Sequence, residues 1–240
     1  MKRLFFLYII LMCSVSISAQ QFKGMAIVGM NLTQVSGDEV AGYDKYGVNA
    51  GLGVSVPISN NKKWYISLEG IYNQKGSYKY AEGLYVIERD PCPTCDSTSI
   101  DEDVKYSLKL GYMEVPLLVH YEGKGSFTFG AGISWGRLIS LKEVINGRKN
   151  LAATLDGGLY NRSDWDILAD IRFRIWRQLK LNFRYAYSLV PIRKNVVFKA
   201  GTPGEFSRNQ YNDLFSIRLI WVFNEVYVPH TNKELKETNQ

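Results

Sequence analysis

The stretch "DWDILADIRFRI", residues 164–175, alternates with a period of two. Trp165, Ile167, Ala169, Ile171, Phe173 and Ile175 fall on one side, and Asp166, Leu168, Asp170, Arg172 and Arg174 on the other. Period two marks a strand with two unlike faces. One face is apolar and the other carries two acids and two bases. The fold turns on which of the two is enclosed.

The same alternation recurs at 22–33, 47–58, 64–78, 104–121, 126–139, 179–188 and 215–223. That makes eight strands with the opening stretch. In 104–121 the apolar phase changes, from Tyr106, Leu108, Leu110 and Tyr112 to Met113, Val115, Leu117 and Val119. A slip of one residue near Gly111 and Tyr112 predicts a β-bulge. Pro116 is awkward for an interior ladder. The joins at 59–63, 122–125 and 176–178 are short, whereas those at 34–46, 79–103, 140–164 and 190–210 are long and polar. An up-and-down barrel with tight turns at one rim and loops at the other has this asymmetry, and bacterial outer-membrane barrels put the tight turns on the periplasmic side.

Composition sets bounds. The 240 residues are rich in Tyr, Phe, Trp and Gly and poor in Pro. Residues 1–20, "MKRLFFLYIILMCSVSISAQ", pair a basic start with a short oily core and then small residues, which reads as a cleaved export signal. Outside it no apolar run approaches the roughly 20 residues of a spanning helix, and barrel strands need none. The formal charge of +6 falls to +4 without the signal. The remaining bases are scattered, so a nucleic-acid surface is not indicated. Residues 21–223 form the expected barrel and 224–240 a polar periplasmic tail.

A soluble sandwich also alternates, with its oily face inside. The charged face here carries Glu69, Glu114, Asp170, Arg172, Arg184 and Arg218 near mid-strand, interspersed with Gly and Ser. A crowded lumen needs such small residues beside long ionic ones. Aromatic residues gather near both strand ends: Phe22, Trp64, Tyr121, Phe127, Trp221 and Phe223 at the turn rim, and Tyr46, Tyr72, Tyr106, Trp135, Trp165, Tyr185, Tyr187 and Tyr211 at the loop rim. They read as two interfacial girdles. The expectation is therefore an all-β, eight-stranded antiparallel transmembrane barrel. Its lumen is wide enough only for side chains, and the three acids pair there with the three arginines because an isolated buried charge is very costly.

"GMNLTQVSGDEVAGYDKYGVNAGLGVSVPI" (29–58), "SLEGIYNQKGS" (67–77), "YMEVPLLVHY" (112–121), "FGAGISWGRLIS" (129–140) and "LFSIRLIWVF" (214–223) resemble the PorT-like outer-membrane β-barrel family. The resemblance spans about the whole mature barrel and implies an exported outer-membrane protein. One branch of that family is associated with secretion across the outer membrane. The motifs specify no activity, and the cysteine pair and charged tail are not part of the pattern.

"DPCPTCD" (90–96) holds Cys92 and Cys95. Cys-x-x-Cys suits a small disulfide loop, a redox pair or half a zinc site. The disulfide is preferred, since no second pair exists. His120 falls near the turn rim and His230 in the tail, so neither has an evident serine partner and a His-based hydrolase is not expected. Asp101 and Asp103 read as a solvated loop, and the Gly51-x-Gly53 pair lies inside a strand. No cofactor and no metal is expected. The partners expected are outer-membrane lipid and, through the loops, other envelope or secretion proteins. The reading is a structural, binding or secretion-associated barrel without catalysis. A small-solute pore, an outer-membrane lipid-modifying enzyme and a soluble exported β protein are the alternatives.

Overall fold

The computed structural model describes residues 22–37, 42–61, 63–81, 104–123, 127–151, 153–199 and 205–225. Its strands are β1 (Lys23–Ser36), β2 (Lys45–Pro57), β3 (Trp64–Ala81), β4 (Val104–Glu122), β5 (Phe127–Ile145), β6 (Arg148–Lys149), β7 (Ser163–Trp176), β8 (Leu179–Ser188), β9 (Arg193–Lys199) and β10 (Glu205–Val222). Each consecutive barrel strand pairs antiparallel with the next in the order β1-β2-β3-β4-β5-β7-β8-β10, and β1 pairs with β10 from Met25↔Val222 to Ser36↔Tyr211. The sheet is thus a closed eight-stranded barrel without a free edge. The two extra strands, β6 and β9, are short arms paired to β5 and β10 on the loop side.

The faces sort as the opening stretch requires. Trp165, Ile167, Ala169 and Ile171 are exposed on the outside, and Asp164, Asp166, Asp170 and Arg172 are buried inside. Around the barrel the exposed outer face carries Val28, Val48, Leu52, Val115, Ile133 and Leu219 among many others, while the lumen holds Arg172 and Arg218 among its largest fully buried side chains. A protein greasy outside and ionic inside is matched to hydrocarbon, not to water.

The phase change in β4 has a different cause from a bulge in that strand. Tyr106, Leu108, Leu110, Tyr112, Glu114, Leu118 and His120 are all buried, so the same parity points inward from end to end. What changes is the chemistry. Below Tyr112 the outside is apolar and the lumen holds the buried ions, with smaller apolar clusters around Ile71 and Leu118 between them. Above it the outside is polar, and an apolar core of Val35, Tyr106, Leu108, Leu110, Tyr112, Leu138, Tyr160 and Ile192 fills the interior. The switch marks where the barrel leaves the lipid. The pairing does shift at Gly111/Tyr112, but the extra residue is on β5, since Gly111 faces Ser140 and Tyr112 faces Leu138, leaving Ile139 unmatched. Tyr106 accordingly lies in this core and not in the loop-side girdle.

Strands also run further than the alternation indicated. β5 continues to Ile145, where Asn146 (φ 49°) and Gly147 (φ 77°) turn the chain into β6. Asn-Gly suits a two-residue hairpin because both central residues need positive φ. Pro116 is accommodated by a gap: the β3–β4 ladder is continuous at Leu68↔Leu117 and Ile71↔Glu114 but skips the positions between, while Pro116 still pairs with Ser134 of β5.

Candidate functional site in the barrel lumen

Two ionic tiers fill the lumen. In the lower one, Glu69 of β3 is the hub. Arg184 donates to both of its oxygens at 2.9 Å, Arg172 donates at 2.9 Å and Arg218 at 3.1 Å. Asp170 accepts from Arg172 at 3.1 Å and Arg184 at 2.9 Å, and Arg218 lies 3.7 Å from it. Bidentate arginine–carboxylate geometry is the strong form of this contact. The register explains the meeting: Asp170 faces Arg184 across β7–β8, and Arg218 faces Asn182 across β8–β10. Space comes from glycine. A Cβ on Gly130 would meet His120 and Asp170, and one on Gly29 would lie 2.5 Å from the Ile217 carbonyl and 2.7 Å from Arg218 Cγ.

Glu114 does not join this cluster, which corrects the expected three-acid, three-arginine set. Glu114 faces Gly136, which faces Asp164, three inward positions above Asp170 on β7. There it lies 2.9 Å from Lys75 Nζ, which also donates to Asp164 (3.1 Å) and Asp166 (2.6 Å). Lys75 was missed by the sequence reading, although it shares the inward parity of Glu69 and Asn73. The two tiers are unbalanced in opposite senses. The lower has three guanidiniums and two carboxylates, and the upper has one ammonium and three carboxylates. Asn73 extends the upper tier sideways, donating to Glu114 (2.8 Å) and accepting from Asn31 (2.6 Å) and Asn49 (2.9 Å).

His120 requires a second correction. It is buried in the lumen wall, with Nε2 2.7 Å from Ser67 Oγ and Nδ1 3.4 Å from Asp170 Oδ1. A serine partner therefore exists, and only the β3–β4 pairing could reveal it. The three side chains are sealed from lipid by the barrel wall, and the other oxygen of Asp170 is held by arginines. Tyr65 stacks on the imidazole at 4.7 Å.

At the turn-side mouth Glu225, just past β10, accepts from Lys23 (2.9 Å), Arg174 (3.1 Å) and Lys180 (3.2 Å). Burial alone would raise its carboxyl, but Lys180, Lys23 and Arg174 outweigh that and hold it down at about 2. The tail is thus anchored at its first residues, and 226–240 lie outside the described residues. Cys92, Cys95, Asp101, Asp103, His230 and the signal segment also lie outside them. Among the described residues no group of three or more His, Cys, Asp or Glu is arranged to hold a metal ion.

Closure, a lipid-matched exterior and an ionic lumen define a transmembrane β-barrel. Residues 14–194 match the family described as outer membrane protein beta-barrel domain, and the chain belongs to that family. Its place is the bacterial outer membrane. Among solved structures it is similar to the attachment invasion locus protein Ail of Yersinia pestis (12% identity, TM-score 0.44, covering 85% of this chain and 99% of that one). It is also similar to Neisserial surface protein A (13%, TM-score 0.43, 83% and 96%). No curated protein matches the sequence.

Proposed function

We propose that this protein is a closed, non-catalytic binding barrel of the PorT-like branch, acting through its loop side. The observation that carries the reading is the lower ionic tier: side chains from β3, β7, β8 and β10 meet across the lumen and block a solute path. In planar bilayers the full chain should give no steady conductance. Discrete open-channel steps would overturn the closed-barrel reading in favour of a pore.

The loop side supplies the surface. Lys109 and Lys142 are direct cross-strand neighbours and both exposed, with Lys105, Arg137, Arg148 and Lys149 exposed on the same β4–β5–β6 arm. Like charges directly opposite each other are destabilising unless an anion meets them. The fitting partner is an anionic lipid headgroup of the outer leaflet. The Ser67–His120 contact favours a hydrolase as second reading, and a fluorophosphonate probe separates the two: Ser67 should stay unlabelled in the folded barrel, and labelling would sink the non-catalytic reading.

A further inference from the structure

The turn-side mouth opens into a cavity of about 50 Å³ whose polar lining is Lys23, Ser55, Tyr65, Glu122, Arg172 and Lys180, with Met25, Pro57 and Val222 as its apolar part. At about 10–15 Å³ for each water-sized probe, that is room for a few waters or one tetrahedral oxyanion. Arg172 sits at its inner end, buried to 2% exposure. Nη2 of this guanidinium is used by Glu69 and Asp170, but Nη1 meets only the Met25 thioether at 3.7 Å, and Nε has no partner. A buried guanidinium with donors left bare costs more than one fully bonded.

The charge lining the mouth is also unequal. Among the described residues three cations, Lys23, Arg172 and Lys180, line the cavity against one carboxylate, Glu122, with Glu225 bridging the two lysines. Water can satisfy an N–H but cannot offset that excess. An oxyanion does both, and the planar fork of arginine with flanking ammonium groups is the arrangement that recognises phosphate.

We propose that this cavity is a periplasm-facing binding site for a phosphate group, held by Arg172 and Lys180 with Lys23 at the entrance. The group can come from free phosphate or from a phospholipid headgroup of the inner leaflet, and the two sources are separable. Full-length barrel in a phosphate-free non-ionic detergent is titrated with inorganic phosphate at constant ionic strength, with phosphorus NMR line width and the urea unfolding midpoint as readouts. A second arm replaces phosphate with phosphatidylglycerol in the micelle. Saturable broadening and a raised midpoint with inorganic phosphate, weakened at least tenfold by Lys180→Gln, establish a free-phosphate site. The same Lys180-dependent response only with phosphatidylglycerol establishes a headgroup site. Absence of both responses, or responses that Lys180→Gln leaves unchanged, overturns the proposal. Should Lys180→Gln not fold, Lys23→Gln serves as the variant, with the same tenfold criterion.

Discussion

Glu69→Gln is the perturbation that tests the lumen most directly. The substitution keeps the shape of the side chain and removes one negative charge. Glu69 makes four contacts of 2.9–3.1 Å to three guanidiniums. Counting the three arginines against Glu69 and Asp170, the lower tier carries +1, and in Glu69→Gln it carries +2. Removing one partner of a buried ion pair typically costs about 3–5 kcal/mol, because the charge left behind is neither paired nor solvated. Arg218→Gln acts in the other direction, taking the tier from +1 to neutral while Glu69 and Asp170 each keep Arg172 and Arg184. Its cost should be smaller, about 1–2 kcal/mol, mainly for the lost hydrogen bond to Asn182. The double variant returns the tier to +1, so the two effects should couple favourably by at least about 1 kcal/mol. Urea unfolding in lipid vesicles, followed by tryptophan fluorescence and by the mobility difference between folded and unfolded barrel on unheated gels, gives all three values. If Glu69→Gln is no worse than Arg218→Gln, or the double variant is additive, the charge accounting of the lumen is wrong.

Two further expectations follow from the faces and the mouth. Ala169 is exposed in the middle of the outer face of β7, so Ala169→Arg should destabilise the barrel by about 2–4 kcal/mol in lipid. An unchanged unfolding midpoint in vesicles would mean that this face meets water. Glu225 has a folded-state pKa depressed from 4.5 to about 2, so its contribution is fully present above pH about 4.5 and lost as pH falls through about 2. Glu225→Gln should therefore be less stable than the parent at neutral pH, with the gap closing between pH 4.5 and 2. A gap that stays constant over that window would show that the three cations do not hold the carboxylate.

The alternation of residues made the architecture legible. In "DWDILADIRFRI" parity alone separates Ile167 and Ile171 from Asp170 and Arg172, because successive side chains of a strand point to opposite faces. The count of such segments, and the long–short rhythm of their joins, carry the closed barrel. Both signals are local. In β4 the pattern located the irregularity but not its cause, and the reason is physical: the environment changes at Tyr112 while the inward parity of β4 does not, and the extra residue of the shifted pairing lies on β5.

The composition of the site was partly readable and its pairing was not. Parity puts Glu69, Glu114, Asp170, Arg172, Arg184 and Arg218 in the lumen. It says nothing about height along the barrel axis, which depends on the stagger between strands. That stagger separates Glu114 from the arginines and gives it to Lys75, brings Ser67 to His120, and gathers Lys23, Arg174 and Lys180 around Glu225. The sequence by itself determined which face each side chain takes, because that follows from the period of two within one strand. Only the tertiary structure decided which ions meet, because a meeting across the lumen depends on register accumulated over all eight strands, and no single segment contains that information.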